Sequence, residues 1–531
     1  MTGQSSRSVA DVIAEGIASA GVPIAFGHPG GEVALLIDAL HRAGVPFLLT
    51  RHENTAAFMA LGMGELTGHP GVCLATLGPG ATNMVTGVAS ALLERAPLIA
   101  LTGAVAQGAP YGTTHQALEL NQLYTPVTKR SIAVTTDNAT EAVTEAVSLS
   151  RQSRPGPVHL SIPSDVAGSR AAETRQAVPR SGDYPSRVPT NLAAATRLMA
   201  KSRRPALVVG VGGLWLDTCD SVRALAHGLN APVATTPKAK GLFSEEDPLF
   251  AGTLEMAGDD LVVDFLSHAD ALVMVGVDAV EFDKPWRLDI PVVHVDVQPN
   301  RDHYYQAEVE VVGDMDKALR ALTESPEPSA WTLQEIASHR ANLYAYIRRD
   351  GVDLHPRDIV DEVRAAMSHD AIATSDVGAH KMLVGQAWPA YGPRTFFMAN
   401  GLSSMGYSIP VATAARLVYP DRQVVAFVGD GGLGMYLGEL ETLVRACVDV
   451  LIVTFVDGSL ELIRRAQLQR SVPTDGVSFG NPDYVALGRA LGFQAKEVST
   501  RREVQRALPE LMASRGPRLL AVHIDGASYR F

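Results

Sequence analysis

Cysteine is scarce in this chain, long apolar runs are missing, and negative charge outweighs positive. The three cysteines, Cys73, Cys219 and Cys447, stand apart with no Cys-x-x-Cys spacing, which fits a reducing compartment and buried, inert sulfurs. The opening MTGQSSRSVADVIAEG holds no apolar stretch of signal-peptide length, and runs such as 206–211 fall far short of a membrane span. A cytoplasmic protein is therefore expected. A net charge of −12 argues against a nucleic-acid or anionic-membrane partner, and an anionic cofactor would need backbone donors or a cation supplied locally. No short-period repeat marks a solenoid.

What the chain does have is length and an alternating pattern. At 531 residues it is too long for one core, and 46% hydrophobic with 19% charged residues suits a well-packed α/β protein. Short apolar segments alternate with helical patterns at 23–26, 47–49, 72–76, 98–101 and 158–162 in a first block. The pattern repeats at 206–209, 232–235, 271–275 and 292–297 in a second, and at 371–374, 424–428, 450–456 and 519–524 in a third. Strands alternating with helices imply parallel sheets covered on both faces. The expectation is three doubly wound parallel-sheet domains, at 1–170, 189–325 and 350–531, with polar, proline-bearing linkers at 167–188 and 324–329. Residues 210–213, GVGG, tempt a dinucleotide-binding reading. Trp215 stands where the third glycine of GxGxxG belongs, so a plain strand-end turn is expected.

The most specific chemical signal is in the third block. Segment 424–428 ends in Gly429-Asp430-Gly431-Gly432, followed by a helical pattern of Leu433, Leu437, Leu440 and Val444. Glycines at a strand-to-helix turn let backbone N–H groups approach a phosphate. A carboxylate there repels bare phosphate, but makes sense if Mg²⁺ bridges the two. Segment 450–456 ends in Asp457-Gly458-Ser459, so two aspartates at two strand ends could share a metal. A tight turn with a capping aspartate would read the same way. In the first block Arg51-His52-Glu53 follows 47–49, and a glutamate at a helix start is common in any α/β protein.

Taken together, these segments resemble the thiamine-diphosphate-dependent enzyme family, whose GDG motif is followed by a segment ending in two asparagines. Here Val456-Asp457 replaces that pair. The resemblance implies Mg²⁺ held by Asp430, Asp457 and the Ser459 carbonyl, with Gly431, Gly432, Leu460, Glu461 and Leu462 beside the cofactor. It makes Glu53 the group that hydrogen-bonds the aminopyrimidine ring and stabilises the imino tautomer, which removes the thiazolium C2 proton. Segment 26–31, FGHPGG, resembles the first cofactor-side loop, and 71–83 the glycine-rich segment lining the pyrimidine, with Thr76, Gly78 and Asn83. Segment 376–380, with Ala379 and His380, resembles a diphosphate-contacting turn. Segment 401–406, with Ser403, resembles the loop that sets an apolar wedge, Met405, under the cofactor. The three domains then become pyrimidine-binding, central and diphosphate-binding.

Within the family, 51–83 and 479–493 resemble acetolactate (acetohydroxyacid) synthases. A small residue at Gly31 leaves space beside the thiazolium for a second carbonyl. Gln116 could hydrogen-bond a substrate carbonyl or hydroxyl, and His115 is an acid/base candidate. Three positions depart: Ala466 replaces a substrate-side Trp, Ser164 a Lys, and the middle-domain Arg is replaced near Asp278. Without that bidentate clamp an aldehyde, ketone or larger acceptor becomes credible. Glu461-Leu462 replaces Gly-Met and puts a carboxylate where the second substrate sits. The expected activity is decarboxylation of a 2-oxo acid, pyruvate first among them, with ligation to a second carbonyl acceptor. The alternatives are a non-ligating 2-oxo-acid decarboxylase and a cofactor-binding pseudoenzyme. The middle domain resembles the family's flavin-binding domain, which leaves FAD open. In the family the pyrimidine glutamate and the metal site face each other across a subunit interface, so a homodimer or homotetramer is expected.

Overall fold

The computed structural model describes residues 7–110, 112–172, 188–301, 303–323, 329–348 and 353–531. Most of both expected linkers, and the boundary at 350, lie outside the described residues. Among the described residues there are three six-stranded sheets, and every strand pairing within them is parallel. The first sheet holds β1 (Ala25–His28), β2 (Phe47–Leu49), β3 (Gly71–Ala75), β4 (Leu98–Ala104), β5 (Arg130–Ala133) and β6 (Pro157–Pro163), in the order β2-β1-β3-β4-β6-β5. The second holds β7 (Pro205–Val209), β8 (Val233–Thr235), β9 (Phe250–Thr253), β10 (Ala271–Val275), β11 (Val292–Asp296) and β12 (Val309–Val312), ordered β12-β11-β10-β7-β8-β9. The third holds β13 (Ile372–Ser375), β14 (Phe396–Met398), β15 (Val424–Gly429), β16 (Leu451–Val456), β17 (Gln494–Val498) and β18 (Arg518–His523), ordered β14-β13-β15-β16-β18-β17. The expected α/β class with three parallel sheets is thus found.

The outer two sheets share one connectivity. The middle sheet instead lays two strands, β8 and β9, to one side of β7, then returns to place β10 on its other side. This is the doubly wound order, with its switch point between β7 and β10. The inner strands are buried on both faces, as in β3, β4, β7, β10, β15 and β16, which explains their near-continuous apolar sequences.

The chain divides into two compact units, one of Met1–Tyr184, Leu402–Pro420 and Leu437–Ala446, the other of Pro185–Gly401, Asp421–Tyr436 and Cys447–Phe531. In the first unit the helix Glu53–Thr67 is buried from Glu53 to Leu66, because ENTAAFMALGMGELT is apolar on every face. Small residues let its neighbours close in. A Cβ at Gly71 would stand 1.8 Å from the Ala60 carbonyl oxygen, one at Gly87 2.5 Å from Ala57, and one at Gly62 3.0 Å from Val411. Val411 belongs to the helix Ser408–Val418, supplied by the third sequence block. Tyr407 precedes that helix, donates its hydroxyl to Glu65 at 2.6 Å and meets Phe58 edge-on.

Two expectations need correction. The single helix expected after Gly429 is broken into Asp430–Met435, a turn at Leu437–Glu439 and Leu440–Arg445, since Gly431, Gly432, Gly434 and Gly438 make that stretch a poor helix former. Cys73 is buried and Cys219 half-buried, but Cys447 is exposed because it occupies a positive-φ turn between the last of those helices and β16. Among the described residues no helix is long and apolar enough to cross a membrane.

Tyr407→Phe leaves the buried Glu65 carboxyl without its hydroxyl donor, which costs about 1–3 kcal/mol. A lower denaturant midpoint with unchanged secondary structure is the expected result. An unchanged midpoint would show that the contact carries no stability.

Candidate active site

In the first unit the site residues leave the carboxyl ends of β1, β2 and β3. After β2, His28 Nδ1 bonds the Thr50 carbonyl at 2.8 Å, the Arg51 amide donates to Glu439, and the Arg51 side chain pairs with Glu441 at 2.8 Å. His52 caps the following helix, its Nδ1 accepting from the Asn54 amide at 3.0 Å. These contacts fix Glu53 in the first turn, 8% exposed. Its Oε2 accepts from the Asn83 side-chain amide at 3.0 Å. Its Oε1 lies over Gly80, 3.3 Å from where a Cβ would stand, so the glycine keeps that oxygen uncrowded.

Beside this pair, Thr76 donates its hydroxyl to Glu32 Oε2 at 2.7 Å. That bond above all, aided by the charge of His115, holds the Glu32 carboxyl below the usual range. A Cβ added at Gly31, which is itself exposed, meets nothing within 4 Å. Gly78 has φ +57, and a Cβ there would come within 2.8 Å of Gln116, itself at φ +55. His115 is exposed. Ser403, at φ +50, and Met405, half-buried, fall in the segment Leu402–Pro420 of this unit. Glu32 went unread as a site residue, although it directly follows the FGHPGG motif.

In the second unit the carboxyl ends of β13, β15 and β16 converge. Asp430, 3% exposed, accepts from the Gly431 amide at 2.8 Å through Oδ1. Its Oδ2 accepts from the amides of Asp457 (3.0 Å) and Gly458 (2.7 Å) and from the Asn481 side chain (2.9 Å). Asp457 in turn accepts from the amide of Ser459 at 2.9 Å and from its hydroxyl at 3.2 Å. Burial first, and the charge of Asp430 next, push the Asp457 carboxyl up to about 6. A cation between them would reverse that repulsion. Among the described residues no group of three or more His, Cys, Asp or Glu could hold a metal ion. Two carboxylates and the Ser459 carbonyl suit Mg²⁺, which takes few protein oxygens and completes its shell with phosphate oxygens and water.

His380 is buried against Phe455, their ring centroids 5.7 Å apart. Cβ atoms at Gly378 and Gly429 would stand only 2.8 and 3.2 Å from its ring. Burial depresses its pKa to about 3 and so keeps it neutral, and its Nε2 has no partner among the described residues. A buried ring nitrogen without a partner beside this turn fits a site made to receive a polar group. Gly432 is required because a Cβ would stand 2.3 Å from an Asp376 oxygen. Ala379 opens its helix and is buried, the Leu460 amide donates to the Val477 carbonyl at 2.8 Å, and Leu462 packs on the core of the third sheet.

Glu461 is 4% exposed and bonded to Arg464 at 2.6 and 3.0 Å and to Arg465 at 2.7 Å, because a buried carboxylate needs partners. Arg465 also donates to the carbonyls of Gly526 and Tyr529. Asn481 went unread as a site residue, though it stands inside the recognised segment 479–493.

The chain matches three family models: thiamine pyrophosphate enzyme, N-terminal TPP binding domain, over residues 7–123; the central domain, over 192–322; and the C-terminal TPP binding domain, over 376–522. It is similar along nearly its whole length to the acetolactate synthase of Bacillus subtilis, 30% identical over 97% of this chain and 93% of that protein. The acetolactate synthase isozyme 2 large subunit of Escherichia coli is 31% identical, over 95% of this chain and 93% of its own. The acetolactate synthase large subunit of Corynebacterium glutamicum is 33% identical, over 93% and 82% respectively.

Asp430→Ala strips the acceptor from the amides of Asp457 and Gly458. Faster amide hydrogen exchange in that turn, with β15 and β16 still protected, is the expected outcome. Unaltered exchange there would mean that Asp430 does not organise the turn.

Proposed function

Because this chain belongs to the thiamine pyrophosphate enzyme family, we propose that it is a carboligase of the acetolactate-synthase type. It decarboxylates a 2-oxo acid, pyruvate, and joins the acyl unit to a second carbonyl compound. The observation that supports ligation is the open space at Gly31. Bound thiamine diphosphate supplies the electron sink for loss of CO₂.

The chain's own residues have these roles in the reading. Glu53 exchanges a proton through Oε1, the oxygen that Asn83 leaves available. Asn83 orients the carboxyl group, and Thr76 and Glu32 pack against Gly30, next to Gly31. Gln116 bonds a substrate oxygen, and His115 serves as an acid/base. Asp430, Asp457 and the Ser459 carbonyl hold Mg²⁺, and the turn that carries Ala379 and His380 contacts the diphosphate. The blocks at 1–170, 189–325 and 350–531 are assigned as pyrimidine-binding, central and diphosphate-binding domains. The active assembly is a homodimer or homotetramer.

Purified protein given thiamine diphosphate, Mg²⁺ and a panel of 2-oxo acids should release CO₂ and yield a 2-hydroxy ketone. Free aldehyde as sole product would sink the ligase reading. Gly31→Val fills space that nothing else occupies, so folding should survive while the ketone-to-aldehyde ratio drops by roughly tenfold or more. Glu53→Gln retains a hydrogen bond to Asn83 but cannot relay a proton. Cofactor binding should persist while C2 proton exchange and CO₂ release slow by about 10²–10⁴-fold; exchange at the parent rate would remove Glu53 from the chemistry.

A further inference from the structure

The middle sheet has the strand order that elsewhere carries dinucleotides, with the ligand outside the carboxyl ends of the strands at the switch point. Here that point lies between β7 and β10, and the family resemblance leaves a flavin open for it. The local packing does not leave the room. The segment after β7 is not the plain turn expected but a short helix, Val211–Trp215, and it is pressed against the turn after β10 backbone to backbone, with the Gly212 amide donating to the Gly276 carbonyl at 2.8 Å. A Cβ at Gly210 would stand 2.5 Å from the Gly276 oxygen, and one at Gly276, at φ +59, 2.5 Å from the Gly213 nitrogen. These glycines permit two strand ends to touch, which accounts for GVGG without a nucleotide.

Donors from these strand ends converge on one carboxyl group. Glu281, 1% exposed, receives the Val211 amide at 3.1 Å on each oxygen and the Asp278 amide at 3.0 Å on Oε2. The Thr236 hydroxyl donates to Oε1. Val211 follows β7, Thr236 follows β8 and Asp278 follows β10, so one internal carboxyl group collects donors from three adjacent strand ends. Asp278, where the family Arg is expected, caps the turn Ala279–Glu281, its Oδ1 accepting from Val280. No acidic residue stands at the end of β8 to read a ribose hydroxyl, since Thr235 and Thr236 hold that place.

We propose that Glu281 is a built-in substitute for a ligand phosphate, and that the central domain therefore takes neither FAD nor an adenine nucleotide diphosphate. The domain is a structural spacer whose switch-point edge is closed by its own side chain.

The test uses the full chain loaded with thiamine diphosphate and Mg²⁺. Visible absorbance of the purified protein should show no flavin, and calorimetric titration with FAD, and separately with ADP, should give no saturable heat up to about 1 mM. Stoichiometric flavin in the purified protein, or saturable heat from either ligand, would overturn the proposal. Thiamine diphosphate titrated into the cofactor-free chain reports on the proposed function alone: its failure would remove that reading and leave this one standing. Glu281→Ala frees the Val211, Thr236 and Asp278 donors, so inorganic phosphate should raise its melting temperature and leave the parent unmoved. An equal rise in both would show that Glu281 does not fill the position. If Glu281→Ala does not fold, the FAD and ADP titrations of the parent decide the matter alone.

Discussion

Parallel pairing in all three sheets is the constraint from which the chemistry follows. It sends every strand of a sheet out on the same edge, where the last N–H and C=O groups have no ladder partners and need other ones. Thr76, the Thr50–Glu53 turn and Gly31 collect at that edge of the first sheet, and Asp376, Asp430 and Asp457 at that of the third. The second sheet meets the same need with Glu281. A carboxyl group thus serves two ends: it gathers donors so that a turn can hold a cation, or it consumes them so that nothing else binds.

Negative charge on this chain is placed rather than merely abundant. Arg464 and Arg465 neutralise Glu461, and Thr76 and His115 favour the charged form of Glu32. Asp457 is raised by burial and by its neighbour Asp430, as Glu281 is by burial above all and Glu255 by burial and Asp283. The repulsion at Asp457 coincides with the turn that suits Mg²⁺.

The apolar pattern of the sequence picks out every inner strand of the three sheets, and among edge strands only β2. Inner strands are flanked on both sides and buried on both faces, so their sequences carry near-continuous apolar runs. β5 reads RSIA and β17 QAKEV because an edge strand leaves residues in water. β9, FAGT, and β14, FFM, are buried edge strands that the pattern missed, and β9 carries Gly252 beside a register shift. The site motifs were readable because glycines and aspartates at strand ends are local signals. The partners of Glu461 follow it in sequence, yet only burial explains why its charge turns toward them. Asn481 reaches Asp430 across 51 residues of chain, and no local pattern announces a contact of that kind.

The helix Glu53–Thr67 has a consequence for the order in which the protein can be completed. Its outer covering, the helix Ser408–Val418, is encoded more than three hundred residues later. On a ribosome adding about 5–20 residues per second, the earlier helix waits roughly 20–70 s for that partner. Throughout this interval Gly62 and its neighbours face solvent or a chaperone, and the Glu65 carboxyl has no Tyr407 hydroxyl. The first unit therefore cannot mature as a nascent N-terminal domain; its completion is postponed until the chain is nearly finished.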